Sequence, residues 1–169
     1  MIDGVAQPHN PDQFLGAWKL VVWDIVYADG RPPSYPYGDD AVGWIMYIPD
    51  RRMSVTICRP RRARLSAENV RKAPVEERLT AFESYFTYSG TYSADGADVI
   101  HHVQFSLNPN FCDTDQRRHA LFEGSRLTLS AEDELAGVRR THRLVWERPS
   151  DDRDRSGDAA AVSGSPGGC

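Results

Sequence analysis

Between Phe14 and Pro149 the chain reads as short runs in which apolar and polar residues alternate, separated by clusters of Gly, Pro and Asp. A period of two marks a strand with one face turned to a core. Leu15 to Ala28 is rich in Val, Ile, Trp and Tyr and stops at Asp29-Gly30. Val42 to Ile48 and Met53 to Arg59 flank Pro49-Asp50-Arg51-Arg52. Thr87 to Ala94 and Val99 to Leu107 flank Asp95-Gly96-Ala97-Asp98, and both connections predict hairpins. Gln116 to Phe122 and Arg126 to Ser130 meet through Glu123-Gly124-Ser125, and Val138 to Arg148 is the last run. About eight strands joined mostly by tight turns predict an all-β fold, an eight-stranded antiparallel up-and-down barrel.

One segment departs from this period. Pro74 to Phe86 carries Val75, Leu79, Phe82 and Phe86 at helical spacing, with Pro74, Glu76 and Glu77 suited to a first helical turn. It predicts one amphipathic helix between the third and fourth strands, crossing the open end of the barrel.

Alternation also assigns faces. In the hairpin at Pro49, Trp44, Met46, Ile48, Met53, Val55 and Ile57 are expected inside. In the hairpin at Gly96 the expected inner set is Tyr88, Tyr92, His101, Val103 and Phe105. Around Gly124 it is Gln116, Arg118, Ala120, Phe122, Leu127 and Leu129. On the last strand Leu144 and Trp146 carry His142 and Arg148 inward. The first strand is apolar on both faces, so alternation alone does not orient it.

Gly16-Ala17-Trp18 resembles the Gly-x-Trp motif of lipocalins. The wider match is to bacterial and fungal lipocalin-like proteins, through Leu15 to Leu20, Pro36-Tyr37-Gly38, Val42 to Asp50, Tyr88 to Tyr92, His101-His102-Val103, Asn108-Pro109-Asn110, Thr114-Asp115-Gln116 and Leu144 to Arg148. The resemblance implies a barrel with an interior cavity. It also implies that Trp18 plugs the closed end and packs beneath an Arg from the end of the barrel, for which Arg148 is in place.

Strand direction then puts Asp24, Trp44, Ile57, Tyr88, Gln116, Arg118 and His142 inward near the opening, with Tyr92 and His101 deeper. The expected binding set is Trp44, Met46, Ile57, Tyr92, His101, Phe105 and Gln116. With Trp18 opposite Arg148, antiparallel pairing brings Asp24 near His142, a carboxylate and an imidazole suited to proton transfer. Arg118 suits a carboxylate or enolate oxygen, and Tyr88 adds a hydrogen bond. Asp24, His142, Arg118 and Tyr88 are therefore the catalytic candidates. Plainer roles compete with these: Asp24 in an ion pair with Arg118, His142 as a solvated rim residue, and His101 as a core histidine bonded to Tyr92.

The 169 residues divide into an N-terminal arm (1–13), the barrel (14–149) and a tail (150–169) without aromatic residues, expected to be disordered. A formal charge of −4 argues against a nucleic-acid partner despite the Arg-rich stretch from Arg59 to Arg64. No membrane-spanning run or signal peptide is read, and Cys58, Cys112 and Cys169 have no metal or disulfide spacing, so a cytoplasmic location without metal or cofactor is expected. Oligomeric state stays open, a homodimer included. Two functions fit: an isomerase, cyclase or lyase of secondary metabolism acting on a mostly apolar substrate inside the barrel, or a non-catalytic carrier of a hydrophobic ligand.

Overall fold

The computed structural model describes residues 8–149. Eight strands close into one barrel in chain order: β1 (Gly16–Tyr27), β2 (Val42–Tyr47), β3 (Arg52–Cys58), β4 (Tyr85–Asp95), β5 (Asp98–Ser106), β6 (Asp115–Glu123), β7 (Arg126–Leu135) and β8 (Val138–Glu147). Every neighbouring pair is antiparallel, and β8 returns to β1. Closure removes both sheet edges, so no strand presents an unpaired ladder along its whole length. The described residues end at Pro149, so the tail, 150–169, and its expected disorder lie outside them.

The helix α1 (Val75–Glu83) does sit between β3 and β4, but it is shorter than the periodicity predicts. Phe86, the last of the four spaced apolar residues, belongs to β4. Val75, Leu79 and Phe82 are about half exposed, so this helix does not bury an apolar face in the barrel.

Residues ahead of β1 seal the closed end. A short helical turn, Pro11–Phe14, starts from Asn10, whose side chain accepts from the Asp12 amide in a capping box with Gln13. It drives Phe14 into the core, where the ring is fully buried against Tyr47, Tyr92 and Phe122. Trp18 is buried beside it and donates from its indole N–H to the Phe14 carbonyl at 2.7 Å.

Three irregularities set which side chains enter the barrel, and each reverses part of the face assignment made from alternation. In the β2–β3 hairpin Tyr47 pairs with Met53, with Ile48 bonded to Arg52, so the loop is Pro49-Asp50-Arg51, three residues rather than four. Arg51 makes this possible by adopting a left-handed conformation, φ 67°. The odd loop places Ile45 and Tyr47 inside with Met53, Val55 and Ile57. Trp44, Met46 and Ile48 point outward and are 41, 46 and 48% exposed.

In β1 a bulge inserts Val21, since Leu20 pairs with Trp146 but Val22 with Val145. Beyond it the faces exchange: Trp23 and Ile25 turn inward, and Asp24 turns out. In β5, Ser89 pairs with Phe105 and Gly90 with Val103, which leaves Gln104 as the extra residue. Phe105 is thereby put on the outer wall, 70% exposed. Gly90 is what lets the bulged strand come so close, because a Cβ there would lie 2.0 Å from the His102 carbonyl oxygen.

Candidate functional site

Above the sealed end the interior is hollow, with a cavity of about 330 Å³. Every strand contributes to its wall: Trp23, Ile45, Val55, Tyr88, His101, Arg118, Leu129 and, from β8, His142, Leu144 and Trp146. Phe86 at the start of β4 and Phe111 from the loop after β5 close in from the mouth. Outside them Tyr37 stacks on Trp23, with ring centroids 5.3 Å apart and planes inclined by 29°.

At the floor His101 stands between two tyrosines. Its Nε2 is 2.8 Å from the Tyr47 hydroxyl and its Nδ1 is 2.7 Å from the Tyr88 hydroxyl, all three residues being buried. Burial, reinforced by the Arg118 and His102 charges, lowers the His101 pKa to about 3, so the ring is neutral at pH 7. A neutral imidazole donates once and accepts once. Tyr47 has no other hydrogen-bond partner among the described residues and does not line the cavity, so its hydroxyl would be stranded unless it donates to Nε2. Hydrogen-bond satisfaction thus runs the chain one way: Tyr47 O–H to Nε2, and Nδ1–H to the Tyr88 oxygen. Tyr88 lines the cavity, and this direction leaves its hydroxyl proton uncommitted. Burial, partly offset by the Arg118 cation, pushes the Tyr88 pKa up to about 12, so it stays protonated.

Arg118 lies higher on the wall and is held by a short relay. Thr114 Oγ1 donates to the Phe111 carbonyl, Gln116 Nε2 donates to Thr114 Oγ1 at 2.9 Å, and Arg118 Nη2 donates to Gln116 Oε1 at 3.1 Å. Its Nη1 donates to the Arg117 carbonyl. His142, also on the wall, has its Nε2 3.4 Å from Asp133 Oδ2. Burial lowers the His142 pKa against the opposing pull of Asp133, which leaves a neutral imidazole at pH 7.

Tyr88, His101, Gln116, Arg118 and His142 thus share the cavity, as expected from the sequence. The other expected residues do not. Asp24 is buried outside the barrel wall, gripped by Arg143 through Nε–Oδ1 at 3.1 Å and Nη2–Oδ2 at 2.6 Å. The Val21 bulge explains this, since it moves Ile25 to the place opposite His142 that unbroken pairing would give Asp24. Its structural partner is Arg143, not Arg118. Trp44, Met46 and Phe105 are on the outer wall for the reasons given above. Ile57 and Tyr92 are inward but belong to the packed core, with Tyr92 against Phe14 and Tyr47 near the closed end.

Sequence reasoning missed Trp23, Tyr47, Phe111, Asp133 and Trp146 as site or support residues. Trp146 was legible as an inward residue, but its place beside a void was not. The indole N–H groups of Trp23 and Trp146 are buried without an acceptor among the described residues. No group of three or more His, Cys, Asp and Glu side chains suited to a metal occurs among the described residues. No helix among them is long and apolar enough to cross a membrane.

A barrel closed at one end and hollow at the other, with apolar walls, fits hydrophobic small-ligand binding. None of the curated proteins matches the chain. The family model described as a lipocalin-like domain matches residues 15–149, the whole of the barrel. The chain belongs to the lipocalin-like domain family.

Proposed function

We propose that the protein binds a small, mostly apolar molecule in the barrel with one oxygen of that molecule accepting a hydrogen bond from Tyr88. The observation that carries this reading is the Tyr47–His101–Tyr88 chain, which ends on the hydroxyl of Tyr88, a residue of the mostly apolar cavity wall. A void of about 330 Å³ is at the low end of ligand cavities, about 300–1,000 Å³, and suits a molecule of one or two fused rings. Apolar walls supply the affinity, and the hydroxyl supplies orientation.

A second reading is favoured by His142. A neutral imidazole and an Arg118 cation on one cavity wall are the parts of a proton-shift enzyme. His142 takes a proton from carbon, while Arg118 and Tyr88 stabilise the negative charge gathering on oxygen. On this reading the protein is a cofactor-independent isomerase, cyclase or lyase of secondary metabolism, with the non-catalytic carrier as its rival.

Calorimetric titration with acetonaphthone, a neutral bicyclic ketone, tests the binding reading. Saturable binding by the full chain that weakens about three- to tenfold in Tyr88→Phe supports it, since one net hydrogen bond is worth about 0.5–1.5 kcal/mol. No binding, or binding indifferent to Tyr88, contradicts it. Exchange of the ketone's α-protons in deuterated buffer separates enzyme from carrier: acceleration lost in His142→Gln favours the enzyme, and no acceleration at saturation leaves the carrier.

A further inference from the structure

Polar groups of both kinds line the cavity: Tyr88, Gln116, Arg118 and His142, with the carboxylates Glu132 and Asp133. Arg118 has five N–H groups, of which two are used, on the Arg117 carbonyl and Gln116 Oε1. No carboxylate pairs with it among the described residues. Both carboxylate residues, Glu132 and Asp133, are exposed. Asp133 has both oxygens held by Arg140, at 2.5 Å from Nε and 2.8 Å from Nη2, and Gln116 Oε1 is taken by Arg118. Arg118 is half-buried, and the Thr114–Gln116 relay holds its guanidinium in place on the cavity wall.

From this fixed cation without an ion-pair partner we infer that the natural ligand carries a carboxylate, which Arg118 grips inside the barrel. The inference rests on the reading that the cavity holds a small apolar molecule. A carboxylate brings two acceptor oxygens and the missing negative charge, and it matches the planar fork of a guanidinium. A neutral ketone or ester leaves the cation unpaired.

The test compares naphthoate with its methyl ester, the same ring system with and without the charge, by calorimetry on the full chain at neutral pH. Acetonaphthone serves as the neutral reference. The expected result is naphthoate binding at least about tenfold more tightly than the ester. That preference should vanish in Arg118→Met and narrow in Arg118→Lys, which keeps the charge but not the fork. Circular dichroism checks that each variant folds; should Arg118→Met fail to fold, the narrowing in Arg118→Lys carries the test. An ester that binds as well as the acid, or a preference for the acid that survives Arg118→Met unchanged, overturns the inference. Acetonaphthone binding without any preference for the acid overturns the carboxylate and leaves the cavity reading intact. Failure of all three compounds to bind overturns both.

Discussion

The guanidinium of Arg148 lies 4.0 Å over the indole ring of Trp18 and ties that end of the barrel to the chain that enters it. The same guanidinium donates to the carbonyls of Leu15 and Gln13, at 3.0 and 3.2 Å. Gly16 leaves room for it, since a Cβ there would stand 3.0 Å from Nη1. Trp18→Ala is expected to cost about 3–5 kcal/mol, as large aromatic truncations in a core do. Arg148→Met should cost about 0.5–2 kcal/mol for the lost cation–π contact. Urea unfolding of the two variants checks the order, and an unchanged midpoint for Trp18→Ala would contradict the role given to the closed end.

Asp24 is a structural residue on the outside of the wall. Its carboxylate is buried and its bidentate partner Arg143 is half exposed. Asp24→Asn should lower stability by about 1–3 kcal/mol, the range for losing hydrogen bonds to a charged group. Affinity for acetonaphthone should stay unchanged, because the side chain does not reach the cavity. Parallel urea and calorimetric titrations separate the two effects.

His101 makes stability depend on pH. Its folded pKa, about 3, is far below the ordinary histidine value of 6.5. The unfolded chain therefore takes up the proton first, and stability present above pH 6.5 is lost progressively as pH falls toward 3. His142 is shifted in the same direction, so the loss has two sources in this window. Replacing His101 by Gln should flatten the fall in melting temperature between about pH 6.5 and 4.5, before most carboxylates titrate. A slope identical to that of the parent would mean that His101 is not held neutral.

Gly90 is required by the bulge at Gln104. Gly90→Ala brings a methyl group against the His102 carbonyl and the Gln104 amide, both backbone. It should cost roughly 1–3 kcal/mol or more, the range for overpacking, without any change in the number of polar contacts. Thermal melting of this one variant is the check.

Most of the architecture was legible in the sequence because period-two runs and Gly- or Asp-bearing turns are local signals. Seven of the eight strands lie within two residues of their expected bounds, whereas β7 runs five residues past the expected Ser130. Faces were legible only where pairing stays regular, as around Gly124, where Arg118 and Gln116 do turn inward. The errors trace to single residues. Arg51 with positive φ shortens a loop by one, and Val21 and Gln104 each add one residue to a strand. Each such step exchanges inside for outside, which moved Asp24, Trp44, Met46 and Phe105 out of the site. Nothing in side-chain chemistry announces a bulge in an apolar strand such as β1. The pairing of Asp24 with Arg143 was likewise hidden, because it depends on the shifted register.

Nuclear Overhauser contacts between bound acetonaphthone and side-chain methyl groups show whether the ligand sits inside the barrel. The barrel interior predicts cross-peaks to Ile45, Val55, Leu129 and Leu144, which line the cavity. It predicts none to Val21, Val26, Met46 or Leu121, which are exposed. Contacts confined to those exposed methyl groups would mean that the molecule sits on the outside of the barrel, and the account of an internal binding site would be wrong.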